Sequence, residues 1–415
     1  MTAKTNANLE PVNGGRDARR DRANDPCNLS RRDLFGVSAA LGTGGLAGQA
    51  LLSAAAAAQA QSAGQSSAVS SAPALTVKAV YTKARELLYP TCRVCPQCDG
   101  VACAGESGGI GGIGSGKSFQ NNYTALQRVE LNLRTLTELT RPDTSTTIFG
   151  QKLSFPAVAA PMGYNGAGFG KGMPVERFFD AIIGGCNDAG TAGGVGESPA
   201  FAVQDLQSRL DIVARYHGRA VYGVKPVPNS TIMKIYPMIE AAAPFMVTID
   251  IDSAGRYQRN TPPEVTYGPK SVAQLRDLAR SIKMPLVIKG IMTPDEALLA
   301  ADTGAKGIVV SNHGGRVLDG TPGGADVLAA IADKVKGKMV IFIDGCMQSG
   351  LDVIKCLALG ADAVMVGRHL LRAAFGGGRE GVALFMNTMK DEFERAMVLT
   401  GVPSVSKIDR RIVRV

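Results

Sequence analysis

Four cysteines lie within twelve residues, in the stretch CRVCPQCDGVAC at residues 92–103. Their C-x2-C-x2-C-x4-C spacing is close to the C-x2-C-x2-C-x3-C-P run of ferredoxins, but it is one residue longer and lacks the proline. Four thiolates could also hold a tetrahedral zinc ion, or form two disulfides in an oxidising compartment. The candidate metal ligands are Cys92, Cys95, Cys98 and Cys103, and an iron–sulfur cluster is favoured over disulfides and zinc.

A second group of reactive side chains follows short runs rich in β-branched residues. His313 is one of only three histidines, and it lies in SNHGGRVLDG, where paired glycines let the backbone approach a ligand closely. Taken singly, an Asp after a strand could cap a helix, and a Lys could be an ordinary surface residue. The runs between residues 246 and 366 are followed by Asp250, Lys289, Ser311, Asn312, His313, Asp344, Gly345, Gly367 and Arg368.

These side chains need elements that bring them together. From about residue 154, eight such runs alternate with helical segments, beginning with FPAVAAPMG and ending with AVMVG. Eight runs predict an α/β fold, a TIM (β/α)8 barrel, over an open doubly wound sheet, which usually has fewer strands. Because barrel chemistry gathers at the carboxyl ends of the strands, the polar side chains should converge on one rim. The last two strands lead through glycine-rich turns into helices, and such helix N-termini suit a phosphate.

The first 60 residues resemble an export signal. Arg31 and Arg32 precede an Ala/Gly-rich apolar stretch, which ends in the A-x-A cleavage pattern of residues 58–60. We expect a Tat-type signal peptide and a protein that is periplasmic or otherwise exported by the Tat route, since the stretch is too weakly apolar to favour a membrane anchor. Tat substrates fold before export, commonly around a cofactor. The predicted organisation is a signal peptide at 1–60, a flexible linker at 61–76, a Cys/Gly-rich arm at 77–120 and the barrel at 121–415.

Charge and motifs argue against two other classes of protein, nucleic-acid-binding proteins and nucleotide triphosphatases. The formal net charge is +9, but the basic residues are thinly spread and no Lys/Arg run is interleaved with aromatics, which argues against nucleic-acid binding. Residues 111–118 fit the G-x-x-x-x-G-K-S phosphate-loop pattern. That mechanism needs a preceding strand, whereas the cysteine stretch precedes the motif here. A mobile loop near the active-site mouth is the better interpretation.

Residues 285–410 resemble the FMN-dependent 2-hydroxy-acid dehydrogenase/oxidase family, which includes glycolate and lactate oxidases. The resemblance rests on VIKGI, SNHGGRVLDG, IDGCMQSGLDV and LALGADAVMVGR, and it extends more weakly back to about residue 119. It implies that FMN is the cofactor and that a small 2-hydroxy acid is oxidised to the 2-oxo acid. It also implies a homo-oligomer, commonly a tetramer. The electron acceptor, oxygen or a periplasmic redox carrier, stays open.

The resemblance also implies roles for individual residues. His313 is the base that takes the substrate's proton, and Asp250 orients its imidazolium. Lys289 faces the pyrimidine edge of the flavin, and Arg316 holds the substrate carboxylate. The flavin ring is contacted by Ala160, Pro161, Met162, Gly163, Thr248 and Ser311, and the ribityl chain and phosphate by Asp344, Gly345, Gly367 and Arg368.

Four positions depart from the family pattern. A glycine-rich segment replaces an N-terminal tyrosine, and Lys225 or a proline stands near the place of a second tyrosine. Tyr257 stands where a second arginine is usual, with Arg256 one place early, and Gln348 replaces an arginine of the phosphate turn. The identity of the hydroxy-acid substrate is therefore left open.

Two alternative functions also remain. One is another FMN-barrel reaction, like that of the type-2 isopentenyl-diphosphate isomerase, although His313 and Arg316 argue against it. The other is a flavin-binding electron-relay protein without hydroxy-acid turnover. If the protein oxidises a hydroxy acid, a cluster in the cysteine segment is a candidate exit for electrons from reduced FMN to a periplasmic acceptor.

Overall fold

The computed structural model describes residues 74–106, 110–164, 171–197, 203–255 and 263–415. The predicted signal peptide and the linker up to residue 73 lie outside these ranges, so both stay predictions. Within the described ranges, no helix is both long enough and apolar enough to cross a membrane.

The chain enters the barrel through an arm with two helices, the second of which runs past the predicted arm boundary at residue 120. Helix α1 spans Val77–Leu88 and α2 spans Lys117–Arg128, and the cysteine stretch lies between them. Helix α1 packs so closely on the last barrel helix that a Cβ at Gly376 would lie 1.9 Å from the carbonyl oxygen of Val80. Short strands follow α2: β1 (Glu130–Leu131), which pairs with the C-terminal β12 (Val413–Arg414), and the hairpin of β2 (Thr146–Ile148) and β3 (Gln151–Leu153).

Eight parallel strands form the central sheet, in the spatial order β4-β11-β10-β9-β8-β7-β6-β5. The backbone N–H of Ala159 donates to the carbonyl of Ala192 at 2.9 Å, which joins the two ends of the sheet and closes the barrel. All eight predicted runs are strands, so the predicted TIM barrel is confirmed. The strands are β4 (Ala157–Ala159), β5 (Gly193–Gly196), β6 (Ala220–Val224), β7 (Met246–Asp250), β8 (Leu286–Ile291), β9 (Gly307–Val310), β10 (Val340–Ile343) and β11 (Ala363–Val366).

Both faces of the barrel strands are buried, which explains why their sequences are continuous apolar runs rather than alternating ones. One apolar cluster fills the barrel interior with side chains such as Val221, Val287 and Phe342. A larger cluster lies between the strands and the helices around them. The helices are α3 (Val175–Asp188), α4 (Val203–Arg215), α5 (Asn229–Ala242), α6 (Val272–Ser281), α7 (Pro294–Ala301), α8 (Gly324–Val335), α9 (Gly350–Ala358) and α10 (Arg368–Thr400).

Local sequence signals set several of the helix starts. Ser349 caps α9 in a capping box with Asp352, and Ser271 does the same for α6 with Gln274. Thr293 caps α7, with Pro294 at the first helical position. These caps fix the residues at which α6, α7 and α9 begin after the preceding strands.

Candidate active site

The loop after β9 turns sharply at three successive residues. His313, Gly314 and Gly315 have φ angles of 57°, 63° and 77°, in the left-handed region that a residue with a side chain rarely adopts. A Cβ at Gly315 would lie 2.3 Å from the backbone nitrogen of Phe119 on α2. The paired glycines were expected to make room for a ligand, but at Gly315 the close neighbour is the arm helix. This strained turn, here called the base loop (residues 311–316), fixes the position of His313.

The imidazole of His313 is held by a carboxylate. Its Nδ1 lies 2.8 Å from Oδ1 of Asp252, which belongs to a short 3-10 turn (Ile251–Gly255) directly after β7. The family resemblance implied that Asp250 orients the imidazole; Asp250 makes its closest contact, 2.6 Å, with Lys225, and its predicted role stays a prediction. A carboxylate only accepts hydrogen bonds, so in the tautomer with its proton on Nδ1 the imidazole donates to Asp252, and Nε2 keeps the free electron pair. The sequence signal that was missed is the second Asp of TIDID.

Lys289 places a positive charge beside this pair. From the carboxyl end of β8, its Nζ lies 3.3 Å from Oδ2 of Asp252, 3.2 Å from Nδ1 of His313 and 3.7 Å from Oδ2 of Asp344. Burial alone would lower the pKa of Lys289, but Asp252, Asp250 and Asp344 together raise it above its ordinary value. Lys289 is therefore held as a cation.

The same surroundings keep His313 uncharged. Burial first, and then the neighbouring ammonium of Lys289, hold the pKa of His313 well below its usual range. The charge of Arg316, three residues along the loop, acts in the same direction. A neutral imidazole with a free Nε2 can accept a proton at neutral pH.

A second buried ion pair lies next to His313, Asp252 and Lys289. Nζ of Lys225, just after β6, lies 2.6 Å from Oδ2 of Asp250. Although burial opposes it, Lys225 and then Lys289 hold the pKa of Asp250 below its ordinary value. The backbone N–H of Lys225 donates to Oε2 of Glu197, and burial raises the pKa of Glu197 to about 8. Lys225 was expected near the site, whereas Glu197 was not foreseen.

The predicted flavin residues lie at the carboxyl ends of the barrel strands, as expected. Oγ1 of Thr248 and Oδ1 of Asp344 are buried, and neither has a hydrogen-bond partner among the described residues. A Cβ at Gly367 would meet no described atom closer than 3.9 Å, so open space remains in front of this turn. Unpaired buried polar atoms, open space and the cation of Lys289 fit a polar, anionic cofactor such as FMN. The remaining predicted residues of this rim are Ala160, Pro161, Met162, Gly163, Ser311 and Gly345.

Two residues of the predicted phosphate turn contact the arm instead. Arg368 donates to the carbonyls of Ile110 and Gly314 at 2.7 and 2.6 Å, and its guanidinium lies 3.9 Å over the ring of Phe119. Nε2 of Gln348 donates to the carbonyl of Cys98 at 2.9 Å. The predicted phosphate contact of Arg368 therefore stays a prediction, and its observed contacts join the arm to the base loop. Arg256 and Tyr257 lie outside the described residues.

The four clustered cysteines line one pocket beside Arg368. None of the cysteines in the described ranges forms a disulfide. Within those ranges, no three or more His, Cys, Asp or Glu side chains are grouped so that they could hold a metal ion. The predicted metal ligands therefore share a pocket, but the structure gives the metal prediction itself no support.

Together, fold and site define a class: a (β/α)8-barrel enzyme with a neutral histidine base beside a buried lysine cation. The family model of the FMN-dependent dehydrogenases matches residues 110–271 and 258–415. The chain belongs to this family, which confirms the predicted family and FMN as its cofactor.

Curated relatives and solved structures agree with this assignment. The chain is 30% identical to an L-lactate dehydrogenase of Caulobacter vibrioides, over 73% of this chain and 91% of the relative. It is 29% identical to human 2-hydroxyacid oxidase 1, over 73% of this chain and 90% of that protein. The crystal structure of a mandelate oxidase superposes with a TM-score of 0.64 at 27% identity, over 82% of this chain and 98% of that chain.

Proposed function

We propose that the protein oxidises a small 2-hydroxy acid to the corresponding 2-oxo acid with FMN as cofactor. The family assignment and the hydroxy-acid relatives support this proposal. The observation that carries it is the 2.8 Å contact between Nδ1 of His313 and Asp252 inside a buried site. That contact leaves Nε2 of a neutral imidazole free to act as a base.

The proton is handled by His313 and its neighbours. Bound FMN would accept the two electrons of the substrate's Cα–H bond together with that hydrogen, as a hydride equivalent. Nε2 of His313 takes the substrate's hydroxyl proton, and the carboxylate of Asp252 stabilises the imidazolium that forms. The fixed positive charge of Lys289 would favour the anionic form of a reduced flavin held beside it.

The substrate's carboxylate needs a cation, and Arg316 and Lys225 are candidates among the residues that the structure describes. We assign Arg316 as the primary partner because it lies three residues from the base on the same loop. Lys225 is a second cation, and its charge is already balanced by Asp250 at 2.6 Å. This balance makes Lys225 a positioning residue for the Asp250 side of the site.

FMN itself is assigned to the strand ends that the sequence predicted. Residues 160–163, Thr248, Ser311 and Lys289 would hold the ring. Asp344, Gly345, Gly367 and Arg368 would hold the ribityl chain and the phosphate. The unpaired buried oxygens of Thr248 and Asp344 support this placement.

The proposal is tested by mixing the purified yellow protein, without oxygen, with a panel of 2-hydroxy acids that includes lactate, glycolate and mandelate. We expect at least one member to bleach the flavin and to yield one 2-oxo acid for each flavin reduced. A flavin that no member of the panel bleaches would contradict hydroxy-acid oxidation and favour the isomerase-type or electron-relay alternatives.

We also propose that residues 1–60 direct export by the Tat route and that the mature protein is a periplasmic homo-oligomer. The paired arginines, the apolar stretch and the A-x-A site support export. Replacing both arginines with lysine (R31K/R32K) is expected to leave the flavoprotein in the cytoplasmic fraction. Unchanged periplasmic recovery of this variant would refute Tat dependence.

A further inference from the structure

A segment of the arm lies directly against the base loop. This segment, which we call the arm clamp (residues 110–122), comprises the turn before α2 and the first half of that helix. The backbone N–H of Ile113 donates to the carbonyl of Gly315 at 2.9 Å. A Cβ at Gly315 would lie 2.3 Å from the backbone nitrogen of Phe119. The backbones of the arm clamp and the base loop are therefore in direct contact, with no room for a side chain at Gly315.

Two buried asparagines join the arm clamp to the residue before His313. Nδ2 of Asn122 donates to Oδ1 of Asn312 at 2.7 Å, and only 2% of Asn122 and 4% of Asn312 are exposed. Oδ1 of Asn312 also accepts the backbone N–H of Gly315 at 3.0 Å. Its Nδ2 donates to Oγ1 of Thr321 at 3.0 Å. A buried amide whose oxygen and nitrogen both have partners rigidifies its surroundings, so Asn312 ties the base loop to α2.

A carboxylate holds the other end of the arm clamp. Oδ2 of Asp319, three residues beyond the base loop, accepts the backbone N–H and the hydroxyl of Ser115 at 2.6 and 2.7 Å. Its Oδ1 accepts the backbone N–H of Ser118 at 3.3 Å. These hydrogen bonds, first of all that from the hydroxyl of Ser115, hold the pKa of Asp319 below its ordinary value. Ser115 and Ser118 belong to the G-x-x-x-x-G-K-S pattern at the start of α2, so a carboxylate of the same chain binds the N–H groups that this pattern presents.

The base loop depends on support from outside. Its residues 313–315 all have left-handed φ angles, and such a conformation persists only where the surrounding structure enforces it. Within the loop, Oγ of Ser311 accepts the backbone N–H of His313 at 2.9 Å. The arm clamp adds the contacts to Gly315 and Asn312 described above. Because these contacts go to the backbone of the loop and to Asn312, they act on the imidazole through its position.

We propose that Asn122 and Asp319 are positioning residues for the base: they fix the base loop to the arm, so that His313 keeps the place that the reaction requires. The proposal rests on the proposed function, in which His313 takes the substrate's proton. It gives a role to the glycine-rich segment that replaces a tyrosine of the family pattern. The hold on the loop can be measured without substrate, so its failure and the failure of hydroxy-acid oxidation are distinguishable.

Hydrogen exchange of the FMN-bound protein without substrate, measured by mass spectrometry, tests the hold on the loop. In Asp319→Ala, peptides that cover residues 311–321 should exchange about 10-fold faster than in the wild type, because local opening sets the exchange rate. Asp143→Ala is the matched control and should exchange like the wild type over these residues. Oδ1 of Asp143 accepts the backbone N–H and the hydroxyl of Ser145 at 2.9 and 2.7 Å, and the backbone N–H of Asp143 donates to Pro403. Equal exchange in Asp319→Ala and the wild type would overturn the proposal.

Flavin reduction by the hydroxy acid, followed without oxygen, gives a readout that a purely structural role would not change. Asp319→Ala should keep its FMN but reduce it about 10-fold more slowly, since a misplacement of about 1 Å can cost on the order of 10²-fold. The pKa of His313 is lowered by burial first and then by Lys289. A released loop exposes the imidazole, so its pKa should rise towards the ordinary value, and the rate should fall at a higher pH than in the wild type. The charged side chains that face His313, which this variant leaves unchanged, are Asp250, Asp252, Lys225, Lys289 and Arg316.

Two further variants complete the test. Asp319→Asn keeps one acceptor oxygen, so its rate and its pH dependence should lie between those of the wild type and Asp319→Ala. Asn122→Ala should show the same shift in pH dependence as Asp319→Ala. Because Asn122 is buried, flavin content and circular dichroism first show whether this variant folds, and the variants of the partly exposed Asp319 decide the matter if it does not.

The outcomes separate position from structure. A wild-type rate and pH dependence in Asp319→Ala, despite faster exchange, would show that the contact is structural only and would contradict the proposal. A wild-type flavin that no hydroxy acid bleaches would contradict the proposed function instead. The exchange comparison alone would then decide whether the arm clamp holds the base loop.

Discussion

At the scale of single residues, the chemistry depends on which side chain each of two neighbouring aspartates contacts. Asp252 accepts a hydrogen bond from His313, whereas Asp250 pairs with Lys225. The two are separated by one residue, so a sequence pattern alone could not say which of them faces the imidazole. The backbone turns into a 3-10 helix between them, and that turn decides the assignment.

Asp252→Asn is expected to slow flavin reduction by the substrate on the order of 10²-fold, because the imidazolium loses its stabilising charge. Asp250→Asn should cost less, since Asp250 makes its closest contact with Lys225 rather than with the imidazole. Single-turnover kinetics without oxygen would compare the two variants. A larger loss in Asp250→Asn would restore the assignment made from the sequence.

The pH dependence of flavin reduction follows from the lowered pKa of His313. The base must be neutral, and a lowered pKa means that it becomes protonated only in more acidic solution. The rate should therefore stay level as the pH falls from about 8 to about 6.5, the usual pKa of histidine, and decrease only below that. A decrease centred at or above the usual value would show that His313 is not held neutral.

At the scale of elements, tertiary contacts that no local sequence pattern predicts set the position of the arm. Strands were predictable because buried, β-branched runs bounded by turn residues specify a parallel sheet. The position of α1 depends instead on Gly376, where α10 lets the backbone of Val80 approach. Likewise, Gly315 was predicted to face a ligand but contacts α2, because the arm's position is set by tertiary packing.

Gly376→Ala tests this packing. Alanine is favoured over glycine inside a helix by about 1 kcal/mol, yet its Cβ would lie 1.9 Å from the carbonyl of Val80. The clash should lower the free energy of unfolding by about 1–3 kcal/mol, as for other overpacked sites. Denaturant unfolding measures the change. At Gly268, an added Cβ would meet no described atom within 4 Å, so Gly268→Ala is the control.

If Gly376→Ala is as stable as the control, the close packing of α1 on α10 is not a determinant of stability. If both variants lose the same amount of stability, the loss comes from replacing glycine in general and not from the contact between Gly376 and Val80. Only a selective loss in Gly376→Ala agrees with the observed geometry.

At the scale of the whole molecule, the barrel explains why so much of the site could be predicted. Strand ends that are far apart in sequence meet at one rim, so His313, Lys289, Thr248 and Asp344 are brought together by topology alone. The remaining contacts of the site could not be predicted, because they join the arm to the rim. Arg368 shows this, since its side chain contacts Ile110 and Gly314.

The central claim is that His313 is the base for hydroxy-acid oxidation in an FMN-binding barrel. The most direct test compares the wild type with His313→Ala, after each has been mixed without oxygen with the hydroxy acid that bleaches the wild-type flavin. Both proteins should be yellow with equal flavin content, and only the wild type should bleach at a measurable rate. Equal bleaching rates in the two proteins would contradict the account.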